Sequence, residues 1–235
     1  MLPTTKKSPQ SVAHLPGAWH ARPARWREYA RNPTRPPSES VKPQMPFVLA
    51  QDPDADELLG SSPLALLIGM LLDQQIPMEK AFRGPKALQD RLGGSLDAAT
   101  IASMDPLELE AAFSAKPAIH RFPAAMARRT ADLCRTVAEQ YGNRAERIWT
   151  EAANGEDLFG RLAALPGFGP DKSRIFLALL GKQGGLQLQG WREASHPFGE
   201  PGTAMSVADI VDDETLAAVR AFKKEMKAAK AAGAK

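Results

Sequence analysis

The sequence is short of cysteine, of paired histidines and of long apolar runs. A single cysteine, Cys134, in 235 residues excludes an internal disulfide framework and any four-cysteine zinc or iron–sulfur site supplied by this chain alone. In its helix-like surroundings it reads as a small buried apolar residue rather than a reactive thiol. The four histidines, His14, His20, His120 and His196, are scattered without metal-ligand spacing. The longest apolar run, Pro63–Leu72, is too short to span a bilayer, so no membrane association is expected. No stretch alternates at period two, so no strands are expected. Lys6 and Lys7 are followed by no hydrophobic segment of signal-peptide type, and the expected compartment is the cytoplasm.

Charge is divided unevenly along the chain. The net charge is +3, yet residues 1–44 alone hold eight Lys/Arg against Glu28 and Glu39. The remainder, 45–235, is therefore slightly acidic, and any affinity for a polyanion must come from local patches. Residues 1–44 lack periodicity and are dense in proline and arginine, as expected of a disordered basic tail.

From Ser61 onward the pattern is helical. Ser62-Pro63 reads as a cap followed by proline at the first helical position, leading an apolar helix to Leu72. Further helices are expected over Pro77–Leu92, with a break at Gly84-Pro85, and over Asp105–Ser114, Arg121–Tyr141, Gly155–Leu165, Pro170–Leu180 and Asp212–Ala232. Residues 181–202 read mostly as loop. The expected class is all-α.

The most informative segment runs from Leu162 to Leu180. One helix ends near Leu165, and Pro166 cannot continue it. Gly167 and Gly169 permit positive φ and a close approach by another backbone. Pro170 suits the first position of the next helix. The product is a tight turn whose amides, backed by a helix N-terminus, face an anion such as a phosphate. Lys172, Ser173 and Arg174 lie where they add charged or hydroxyl contacts.

The string Leu165-Pro166-Gly167-Phe168-Gly169, with apolar helices on both sides, resembles the helix-hairpin-helix of the HhH-GPD superfamily of base-excision DNA repair proteins. That superfamily includes the endonuclease III and alkyl-purine glycosylase branches, and the chain most resembles a small bacterial branch of it. A second match is Leu66–Pro77, which resembles the superfamily's early helix ending in a glutamine-bearing turn toward DNA, here Gln74-Gln75. The resemblance covers about residues 60–200. It implies two helical lobes around a DNA cleft, a barrel lobe of 62–181 containing the hairpin at 155–181 and a second lobe of 45–61 with 182–235. It also implies double-stranded, damaged DNA as partner, a monomer associated with the nucleoid, and contacts from Gln74, Gln75, the hairpin residues 165–169, Lys172 and Ser173. No cofactor and no iron–sulfur cluster are implied, while the hairpin leaves room for a monovalent cation.

The catalytic group is open. Glycosylases of this superfamily stabilise the developing sugar cation with an aspartate some two dozen residues past the hairpin. Counting from Leu165 reaches Gln189-Gly190-Trp191, and no aspartate lies between Asp171 and Asp209. Glu193 is the nearest substitute, and Lys172 stands one place beyond the superfamily's Schiff-base lysine. Three readings follow: a DNA N-glycosylase with an atypical catalytic group, a lesion-binding protein without chemistry, or a helical protein whose hairpin packs on another protein. The first two predict that Gly167→Ala or Gly169→Ala weakens DNA binding without unfolding the chain.

Overall fold

Capping residues define most of the helix starts. A computed structural model describes residues 47–233, with side chains to 229; the segment 1–44, expected to be a tail, lies outside the described residues. Helix α1, Pro53–Ser61, begins at the Asp52 cap, whose carboxylate accepts from the Ala55 amide. Helix α2, Pro63–Leu72, follows at once from Ser62, whose hydroxyl accepts from Ala65 N at 3.2 Å. Asp105 caps α5, Pro106–Ser114, and Asn154 caps α8, Gly155–Ala163. Each cap satisfies an amide that the first turn leaves orphaned. Among the described residues there are helices and turns but no strand, and the class is all-α.

Helix α2 is the centre of the core. Every residue from Leu64 to Leu72 is buried, as expected of a helix apolar on all sides. It packs against α1 and against α3, Met78–Arg91. The long α6, Pro123–Tyr141, lies on α5 and on α4, Ala98–Ser103. It ends at Gly142 with φ +61°, the left-handed cap expected there. Cys134 is buried on α6, and burial pushes its thiol up to about 12. A short helix, α7 at Arg147–Thr150, leads to α8. Helix α9, Pro170–Lys182, then packs on α8, on the short α10, Trp191–Ala194, and on a 3-10 turn at Val207–Asp209. Helix α11, Asp213–Gly233, closes the described chain.

Two expectations need correction. Helix α3 runs through Gly84 and Pro85 without the expected break. Both residues are buried against the core, and a Cβ on Gly84 would collide with Leu72 of α2; this close packing holds a helix that propensity alone would interrupt. Helix α1 begins eight residues before the helical text was expected, because a Pro at the first position and an aspartate cap outweigh a weakly apolar composition.

Candidate functional site

The two sequence motifs, some ninety residues apart, meet in space. The glycine turn joins α8 to α9, with Leu165 and Phe168 buried beneath it and Phe168 edge-on to Phe176 at 5.9 Å. These apolar anchors leave Gly167 and Gly169 exposed. Gly167 has φ +80°, and a Cβ there would collide with Leu71 at the end of α2. Gly169 has φ −85°, and a Cβ on it would meet nothing within 4 Å. Among the described residues, the amides of Gly169, Asp171 and Lys172 have no acceptor.

Lys172 ties the turn to α2. Its Nζ donates to Met70 O at 2.7 Å and Leu71 O at 2.8 Å, two of the orphaned carbonyls at the helix C-terminus. Burial lowers its pKa to about 8, opposed by the nearby Asp73 and reinforced by Arg129. Ser173 is not at the surface; it is fully buried, and its hydroxyl donates to Gly169 O at 3.0 Å. Arg174 pairs with Asp171 at 3.3 Å.

The turn after α2 is held from the other side. Gln74 donates through Nε2 to Leu71 O at 2.7 Å and accepts through Oε1 from Arg129 at 2.8 Å. Gln75 is exposed with φ +57°, a conformation uncommon outside glycine. His120 is 1% exposed; its Nδ1 accepts from Phe122 N at 3.1 Å. The proton therefore resides on Nε2, which donates to Gln74 O at 2.9 Å. Burial first, then the charges of Lys80, Arg121 and Lys172, lower the His120 pKa against the effect of its bond to Gln74. Beside it, Phe122 stands 43% exposed with the Arg121 guanidinium 4.7 Å from its ring centroid.

One carboxylate shares this basic surroundings. Asp73 follows the last residue of α2, and burial raises its pKa, opposed by Lys223 and Lys172. His120, Arg129, Phe122 and Asp73 were not singled out by motif reading, since each depends on which loop folds beside which helix. The only sequence signal was the position of Asp73 inside the apolar string ending in Gln74-Gln75.

The residues counted from the hairpin toward the missing aspartate lie elsewhere. Gln189 O accepts from Gly155 N at 2.8 Å. The Trp191 ring lies on Gly181, where a Cβ would collide with it. Gly155 and Gly181 are at or near the ends of α8 and α9 remote from the glycine turn, roughly 12 Å and roughly 16 Å of helix away. Exposed Glu193 borders a crevice there with Asn154, Gly155, Glu156 and Gln189. The structure thus brings together Gln74, Gln75, the turn 165–169 and Lys172, and it leaves Glu193 apart from them.

No family model, curated protein or solved structure matches this chain. Among the described residues, no group of three His, Cys, Asp or Glu is placed to hold a metal ion, and no single helix is long and apolar enough to cross a membrane. What the site offers is an exposed glycine turn with free amides beside the Gln74-Gln75 turn, several nearby cations and an exposed aromatic ring.

Proposed function

We propose that this chain grips double-stranded DNA with its paired turns and acts as a DNA N-glycosylase-like protein of base-excision repair, on damaged or mismatched bases. The carrying observation is the junction itself: Lys172 bonds the end of α2, and Gly167 abuts Leu71, so the Gln74-Gln75 turn and the glycine turn form one edge. Free amides at the start of α9 suit a phosphate oxygen. Lys80, Arg121 and Arg129 add positive charge around it. Exposed Gln75 suits hydrogen bonding to a base edge or to the gap left by an extruded base. Phe122 supplies a face on which a base can stack. In this reading the helices form two lobes about a cleft, with the turn between α8 and α9 serving as a helix-hairpin-helix.

A second reading is a lesion-binding protein that has the grip without the chemistry. It is favoured by one observation: Gln189 and Glu193 lie at the wrong end of α8 and α9 to serve the glycine turn. Single-turnover assays on duplexes holding uracil, 8-oxoguanine or alkylated purines, run beside binding titrations, separate the two. Base release supports the glycosylase, and lesion-selective binding without release supports the second reading. Absence of any duplex binding rejects both.

A further inference from the structure

The least comfortable side chain at this site is Asp73. It stands at the C-terminal end of α2, where the helix dipole opposes a negative charge. Burial disfavours its ionised form, and Glu79 adds repulsion. Among the described residues no group donates a hydrogen bond to its carboxylate; Lys172 and Lys223 lie near enough to oppose the effect of burial, and the net shift is still upward. Yet its oxygens are not sealed off, since the one fully buried side-chain polar atom without a partner among the described residues is Thr130 Oγ1. A half-buried carboxylate set against local preference on several counts, beside an exposed ligand-facing turn, marks a group kept for chemistry.

Nearby carboxylates are otherwise engaged. Glu79 accepts from Arg220 of α11, and Asp171 pairs with Arg174 on the exposed side of α9. The Asp73 carboxylate, by contrast, has no hydrogen-bond partner among the described residues, feels the charges of both Lys172 and Lys223, and immediately precedes Gln74 and Gln75.

We propose that Asp73 is the catalytic carboxylate of this site, facing the sugar of an extruded nucleotide and serving hydrolysis of its N-glycosidic bond. The assignment rests on the glycosylase reading above. The C1′–N bond breaks, and its electron pair leaves with the base. The positive charge growing on the sugar is stabilised by the carboxylate. A water oxygen supplies the new pair to C1′, and the water's proton passes to Asp73 and on to the departing base. The aspartate is thereby regenerated, and the products are a free base and an abasic sugar.

The test uses the full chain, with Asp73→Asn and Asp73→Ser measured side by side so that a folded variant decides. Binding is read on a duplex holding a tetrahydrofuran abasic analogue, and release on duplexes holding uracil, 8-oxoguanine or 3-methyladenine. The expected result is base release by the native protein that falls about 10²–10³-fold in both variants. Tetrahydrofuran-duplex affinity should stay within about threefold, because Asp73 is not among the groups assigned to the phosphate backbone. The melting temperature should be equal or higher, because an ill-placed charge has been removed. Native-like release by either folded variant overturns the role of Asp73 and leaves the glycosylase reading in place. Binding by the native protein with no release on any substrate overturns the catalytic assignment alone. Absence of duplex binding by the native protein overturns the reading beneath it.

Discussion

At Lys172 an ammonium is drawn partly out of water and given two carbonyl oxygens and a neighbouring carboxylate. Burial wins, and the amine titrates near 8 instead of 10.5. Carbon-13 methylation of the lysines should reveal one resonance with a midpoint near pH 8 that is missing from Lys172→Met; uniform midpoints above 10 would contradict the burial described. Between those values the unfolded chain binds a proton that the folded chain does not, so this group adds stability as pH rises through the window. His120 works in the acid range. Its folded pKa lies below the ordinary 6.5 because burial and three neighbouring cations resist a second proton. Below 6.5 the unfolded chain takes up a proton first. The contribution is therefore intact above 6.5 and is lost as pH falls through the folded value. Melting temperatures should fall between pH 7 and pH 5, and His120→Gln should flatten that fall; an equally steep fall in the variant would place the acid sensitivity elsewhere.

At the scale of elements, the turn between α8 and α9 separates two glycines that the sequence presents as equivalent. Gly167→Ala combines a positive φ with a collision against buried Leu71 and should cost about 1–3 kcal/mol in a denaturant titration. Gly169→Ala meets open space at an ordinary φ and should leave stability unchanged. The expectation from the sequence was weaker DNA binding without unfolding for either substitution; the structure adds a stability cost at Gly167 and none at Gly169. Beyond α9, Asp209 holds the segment that returns to it: it accepts from Lys182 Nζ at 2.6 Å, Thr203 Oγ1 at 3.0 Å and Met205 N at 2.8 Å. Its side chain is 4% exposed, so Asp209→Ala leaves a largely buried cation unpaired and should lower stability by about 3–5 kcal/mol; a loss under 1 kcal/mol would show that the network is dispensable. Elements announced by caps, such as Ser62-Pro63, Asp105-Pro106 and Gly142, were legible in the sequence because the signal is local. The continuity of α3 through Pro85 was not, because packing on α2 decides it.

For the molecule as a whole, the all-α class and both motifs could be read from the residues, but their junction could not. Nothing in the spacing of Leu71 and Lys172 announces that they touch, and His120, Phe122 and Arg129 join the site only through the loop before α6 and the first turns of that helix. Net charge was similarly uninformative. Locally, Lys80, Arg121 and Lys172 lie near enough to His120 to act on its charge, and Arg129 and Asp73 near enough to act on that of Lys172. The central claim is that the edge formed by the two turns receives a DNA backbone, and fluorescence anisotropy with a labelled duplex tests it most directly. Affinity should fall linearly with salt on logarithmic axes. Gly169→Ala, neutral for stability, should weaken binding several-fold at every salt concentration because its new methyl group stands where a phosphate must approach. Identical isotherms for the native protein and Gly169→Ala, or an affinity indifferent to salt, would contradict the account.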